Sequence, residues 1–242
     1  MKHTFNTIII AITIIVTALV FANAFKNRNR TNDIIDVTGL GKKDFVSDLI
    51  VWNGSFTRKD IDLKLAYVQL NKDREIIKSY LTSKGVSEKE IVFSSVIIIK
   101  EYNEIFDKED RRSSTFSGYR LTQQIQIEST NVNKIENISR EITELINTGV
   151  EFSSNSPEYY YTKLAELKVE MIAAATLDAK LRAEKIAENS GGKIGHLKYA
   201  SMGVFQIVAQ NSSEDFSWGG AYNTTSKRKT ATITMKLQYK ID

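Results

Sequence analysis

The chain has no cysteine among its 242 residues, which excludes disulfides, thiol nucleophiles, iron–sulfur clusters and thiolate zinc sites together. It has two histidines, His3 and His196, and neither has a neighbouring set of ligand or acid–base partners; His196 reads as a partly exposed residue at the start of a strand. One proline and 12 glycines are too few for a collagen-like or low-complexity chain. Acidic residues are missing from the first thirty positions. What remains, 42% hydrophobic and 26% charged, is the composition of a chain that packs a core.

The formal charge of +4 comes from that acid-free start, which holds Lys2, Lys26, Arg28 and Arg30. Without those four, the 33 basic residues become 29 and equal the 29 acidic ones, so no nucleic-acid-binding surface is expected. The run Ile8 to Ala22 is apolar except for Thr13 and Thr17. Extended over Phe5 to Phe25, it reaches the ~20 residues that a membrane-crossing helix requires. Residues 1–30 are therefore read as a signal anchor with a basic collar at Lys26, Arg28 and Arg30. Ala22-Asn23-Ala24 supports the alternative, a signal peptide cleaved there, which leaves the domain of residues 31–242 soluble.

Beyond a polar linker, the spacing predicts a strand over Ile34 to Thr38, a turn at Gly39-Leu40-Gly41, and a strand over Phe45 to Thr57 with Val46, Ile50, Trp52 and Phe56 on one face. A helix over Asp60 to Lys84 carries the stripe Leu63, Ala66, Leu70, Ile77 and Leu81, and Gly85 stops it. Glu90 to Lys100 and Tyr119 to Glu128 follow as paired strands, separated by a charged loop from Asn103 to Phe116. A second helix covers Val132 to Asn147, and Val150 to Tyr161 returns to strand. The longest helix, Thr162 to Ser190, is expected to bury Ala165, Val169, Ile172, Ala179, Ala183 and Ile186. Strands over Lys198 to Gln210 and Lys227 to Ile241 close the chain, the last with Ala231, Ile233, Met235, Leu237 and Tyr239 on its buried face.

This order predicts an α+β fold of two β-α-β-β units with antiparallel sheets and helices packed on one face. The units cover about 45–128 and 150–241, with 132–147 as a connector helix. One continuous sheet is the alternative.

No set of reactive side chains converges in the sequence, so no catalytic residue, cofactor or metal ligand is assigned, and the chain is not expected to be an enzyme. The acidic run Glu101 to Asp110 lacks the spacing of a calcium loop. Gly39-Leu40-Gly41-Lys42-Lys43 lacks the spacer of a phosphate loop. Asp178 stands alone in its helix and suits a hydrogen bond better than acid catalysis. The loop Asn211 to Ser226 places Phe216, Trp218 and Tyr222 among glycines and small polar residues. Such aromatics suit an interface, or a lid folded back on their own domain.

Several motifs resemble the SIMPL-domain family. Val37-Thr38-Gly39-Leu40-Gly41 is similar to its opening element, and Ser117-Gly118-Tyr119-Arg120 to the Gly-Tyr before its alternating strand. Ala175 to Ala187 (ATLDAKLRAEKIA), followed by Gly191-Gly192-Lys193-Ile194-Gly195, resembles its helix motif and downstream glycines. The resemblance implies export, a domain on the extracytoplasmic side of a bacterial membrane, homo-oligomerisation and a link to envelope stress, without an established catalytic mechanism. The function expected on this basis is a membrane-tethered assembly module. The alternative is a small-molecule or peptide-binding protein with a cleft between the subdomains.

Overall fold

The computed structural model describes residues 2–28, 34–106, 112–214 and 217–241, and the side chains of all of these except 2–9, 26–28, 105–106 and 112. Among them are four α-helices, and every strand pair with a defined register is antiparallel, so the fold is α+β. The chain divides into two compact units, one made of 1–42, 168–205 and 232–242, the other of 43–167 and 206–231.

The larger unit is built on a six-stranded sheet. Its centre is β2 (Leu49–Asp60), paired with β5 (Arg112–Ser129) from Ile50 opposite Ser129 to Asp60 opposite Tyr119. Period-two alternation buries Ile50, Trp52 and Phe56 of β2 and Leu121, Ile125 and Ile127 of β5 on one face. Helix α2 (Leu63–Ser83) lays Ala66, Leu70, Ile77 and Leu81 on that face, and each large side chain so buried contributes roughly 1.5–3 kcal/mol. The Asp62 carboxylate caps α2 by accepting the Lys64 and Leu65 amides at 2.7 and 3.0 Å. Gly85, at φ +81°, ends it as expected.

The α2 stripe also contains a charge. Asp73 is 2% exposed and accepts two bonds from the Arg58 guanidinium, at 2.5 and 2.7 Å, while Arg58 donates a third to the Gly149 carbonyl at 2.6 Å. This fork joins β2, α2 and the turn after α3 (Val132–Glu141). The coil continues from α3 as a tighter helix over Ile142–Thr148 and ends at Gly149, φ +78°.

The other edges differ from expectation. Glu90 to Lys100 is split into β3 (Ile91–Phe93) and β4 (Ile97–Phe106), both paired with β5. The charged loop expected over 103–116 is instead the end of a β4–β5 hairpin, paired as far as Phe106 opposite Arg112; residues 107–111 lie outside the described residues. Val150 to Tyr161 is two short strands, β6 (Phe152–Ser154) and β7 (Glu158–Tyr160), both paired with β2. Pro157 between them lacks the amide that one longer strand would need.

In the smaller unit the strand order is β1 (Ile34–Val46), β10 (Arg228–Ile241), β8 (Ile194–Met202); β9 (Gln206–Ala209) belongs to the larger unit. The turn expected at Gly39-Leu40-Gly41 is absent, because β1 runs through it without a break. These glycines serve close approach. A Cβ on Gly39 would strike the Ala175 carbonyl and the Ala179 amide of helix α4 (Leu164–Asn189), and one on Gly41 would lie 2.5 Å from the Met171 carbonyl.

That approach reverses part of the expected α4 stripe. Met171, Ala175, Ala179, Ala183 and Ala187 are buried at four-residue spacing, whereas Val169 and Ile186 are 69% and 48% exposed. The seam admits only short or flexible side chains, so the branched ones turn outward. The second β-α-β-β group is therefore β1, α4, β8 and β10, with its first strand drawn from the start of the domain and not from 150–161. The units cut across the segments 45–128 and 150–241.

The chain begins with helix α1 (Lys2–Arg28), whose described side chains, 10–25, are all exposed. Among the described residues no helix is long and apolar enough to cross a membrane. The apolar heart, Ile8 to Ala22, rises only ~22 Å at 1.5 Å per residue, against a hydrocarbon layer of ~30 Å.

Candidate functional site

The aromatic loop divides three ways. Phe216 lies outside the described residues. Tyr222 turns back on its own unit, where its hydroxyl accepts the Tyr161 amide at 3.3 Å and its ring lies 6.3 Å from that of Tyr160. Trp218 is 89% exposed. Beneath the loop sits Lys229, fully buried, whose ammonium donates to the carbonyls of Asn223 and Ser226. Burial pushes its pKa down to about 8, opposed by the charge of Glu214. Glu214 also accepts the Asn223 side-chain amide at 2.6 Å. These bonds tie Asn223 and Ser226 of the loop to the side chains of Glu214 and Lys229.

A larger apolar surface lies on the β4–β5 hairpin. Among the described residues β5 is the only strand paired with β4, so the other edge of β4 leaves its peptide groups without a strand partner. Ile97, Ile98 and Ile99 are 50%, 52% and 47% exposed, and three successive residues of a strand necessarily present apolar groups on both faces. Tyr102, Phe116 and Tyr119 continue the surface as edge-to-face rings 5.8 and 5.1 Å apart. Ile98 also lines a 650 Å³ groove with Ile61, Leu63, Tyr67 and Tyr119. Glu101, from the acidic run, is half-buried and pairs with Lys59 at 3.0 Å and with Arg120. The Val96–Ile99 run is the sequence signal for this surface, and it was read only as part of a paired strand.

Another concavity in this unit is a 690 Å³ cleft beside the amino end of α3. Its wall includes Ser47, in the turn between β1 and β2, which is 4% exposed and whose hydroxyl has no hydrogen-bond partner. Asp48 accepts the Thr162 amide and hydroxyl, each at 2.8 Å. Lys227 donates to Asn133 Oδ1 at 2.5 Å and Glu136 Oε2 at 2.7 Å. The Lys227 bond, with help from the Tyr159 hydroxyl, holds the Glu136 carboxyl below its usual range. Burial and the bond to Glu136 raise Tyr159 to about 12.

His196 is exposed on β8. Asp178, on α4, accepts the Leu40 amide at 2.8 Å and pairs with Arg182 at 3.0 Å; it fastens helix to strand. Among the described residues no group of three His, Asp or Glu side chains is placed to hold a metal ion.

No curated protein matches the chain. Residues 35–239 match SIMPL, described as a protein of unknown function (DUF541). The match takes in both glycines of the β1 seam, the Asp178 clasp and nearly all of the domain, and the chain belongs to the SIMPL family.

Proposed function

We propose that the protein is a non-catalytic assembly module of the bacterial cell envelope, in which the free edge of β4 pairs with a second copy of the chain. The observation that carries this reading is the exposed Ile97–Ile99 edge. An apolar strand with an unpaired side is a template for another strand, and monomeric proteins normally blunt such edges with charge or proline. Here both faces of the strand are apolar over Ile97–Ile99, before Lys100 and Glu101 bring charge to it, and the adjoining groove offers a place for side chains of a partner strand.

Tethering by α1, with the domain on the extracytoplasmic side and a part in envelope stress, is the finer form of this proposal. It is supported by the exposed apolar residues from Ile10 to Phe25 and by the basic collar. An amphiphilic segment of this length can also lie in the interface when it does not cross. Retention of the chain in membranes through a carbonate wash tests the tether.

Light scattering after size-exclusion chromatography of the full chain in mild detergent tests the assembly. An oligomer at micromolar concentration is expected, and Ile98→Lys with Ile99→Lys should reduce it to monomer while the circular dichroism spectrum stays unchanged. A wild-type chain that is strictly monomeric would end the proposal, as would an oligomer indifferent to both lysines.

A further inference from the structure

We infer that the partner of the β4 edge is β4 of a second copy, laid antiparallel about a two-fold axis at Tyr102. The inference rests on the edge pairing proposed above and names its partner strand and register. Residues 98–106 read Ile-Ile-Lys-Glu-Tyr-Asn-Glu-Ile-Phe. From either end the order is apolar, apolar, charged, polar, tyrosine, and the two charged positions that meet on reversal, Lys100 and Glu104, are opposite in sign.

Geometry leaves few registers. Opposite residues of an antiparallel pair point to the same face of the sheet, and a two-fold axis normal to the sheet preserves faces, so the axis passes beside a residue and never between two. Strand β4 keeps its alternation throughout, because the irregularity in the hairpin is an extra residue of β5, Ser117: Glu101 lies opposite Gly118 and Tyr102 opposite Phe116. An axis at Lys100 would set lysine against lysine, and one at Glu101 glutamate against glutamate, both unfavourable. At Ile99 it would set Ile98 against Lys100 and Ile97 against Glu101. At Asn103 it would set Tyr102 against Glu104 and Glu101 against Ile105.

At Tyr102 every position finds a match. Lys100 falls opposite Glu104, once on each side of the axis, while Glu101 falls opposite Asn103, Ile99 opposite Ile105 and Ile98 opposite Phe106. Lys100 is exposed and makes no ion pair among the described residues, so the pairing supplies its carboxylate. Tyr102 is exposed, and its ring stands edge-to-face with Phe116, as Phe116 does with Tyr119. The axis brings this row of rings up to its own copy, where further aromatic pairing adds to the strand hydrogen bonds.

The chain has no cysteine, so introduced cysteines report the register without background. Opposite Cα atoms of an antiparallel pair lie ~4.5–5.5 Å apart, within disulfide reach. Under mild oxidation of the full chain in mild detergent, Tyr102→Cys should link to itself and run as a covalent dimer on a denaturing gel. Lys100→Cys should not, because the two copies of residue 100 are offset by about 13 Å along the strands; Lys100→Cys with Glu104→Cys should link again. Without any thiol, Lys100→Glu should weaken association about tenfold in light scattering on dilution, and Lys100→Glu with Glu104→Lys should recover it. A monomeric wild type would end both the edge proposal and this one. A wild-type oligomer in which Tyr102→Cys fails to link, Lys100→Cys links equally well, or the charge exchange gives no recovery would overturn the Tyr102 register and leave the edge proposal standing with another strand as partner.

Discussion

The two units solve the same problem, covering one face of an antiparallel sheet with a helix, by opposite means. In the larger unit α2 rests on bulky side chains, with Trp52, Phe56, Ile50 and Leu121 fully or almost fully buried beneath Leu70, Ile77 and Leu81. Where α4 meets β1 in the smaller unit the bulk is missing: Gly39 and Gly41 face Ala175, Ala179 and the Met171 backbone. Packing by side chains leaves a core that fails when volume is removed. Packing by backbone approach leaves a seam that fails when volume is added. The difference also decides what lies outside. A helix whose inner stripe is alanine places its larger apolar residues elsewhere, and α4 exposes Val169, Leu177 and Leu181 at 69%, 58% and 50%.

The largest expected effect removes volume from the larger unit. Trp52→Ala should destabilise the chain by about 3–5 kcal/mol, read as a lower urea midpoint, since Trp52 is 0% exposed and its indole N–H donates to Ser154 and Asn155 at 3.1 Å each. Next comes the addition of one methyl to the smaller unit. Gly→Ala in a strand ordinarily stabilises, by restricting the unfolded chain. Gly39→Ala should instead cost about 1–3 kcal/mol, the range of overpacking, because the Cβ has only helix backbone to displace. Equal tolerance of Gly39→Ala and of a solvent-facing Gly219→Ala, which meets nothing within 4 Å, would break the contrast between the units.

How legible each unit was in the sequence follows from the same contrast. Strands β5 and β10 and helix α2 announce themselves because large apolar residues alternate with polar ones; the expected buried face of β10 is the one observed, and that of α2 is too except for Leu63, which is 38% exposed. Asp73 is absent from the expected stripe, although its place between Leu70 and Ile77 on an otherwise apolar face was a signal, since a charge can persist there only with a partner. Local pattern failed where a distant segment sets the spacing. Gly39 and Gly41 read as a turn because only the arrival of α4, more than a hundred residues later, gives a strand a reason for two glycines. The outward position of Val169 and Ile186 has the same origin. The α3 cleft was illegible for a related reason: Ser47, Thr162 and Val132 lie far apart in the chain, and nothing local marks a serine as buried and unpaired.

The smallest effect tests the polar clasp in each unit. In the larger one, the Arg58 and Asp73 side chains are 29% and 3% exposed; in the smaller one, Arg182 and Asp178 are 57% and 34% exposed. An exposed clasp is screened and contributes little, but its pH dependence has a definite sign. The Leu40 amide first, and Arg182 second, hold the Asp178 carboxyl below its usual range. The folded chain therefore binds fewer protons at this site than the unfolded one. The resulting stability is complete above about pH 4, the unfolded value, and is lost as pH falls through the lowered folded one. Asp178→Asn keeps an oxygen for Leu40 but no charge. Urea unfolding from pH 6 to pH 3 should show wild type ahead of Asp178→Asn at the upper end and the gap closing at the lower. A gap that stays constant or widens on acidification would mean that the carboxylate fastens α4 to β1 by shape alone, and that the seam owes nothing to its charge.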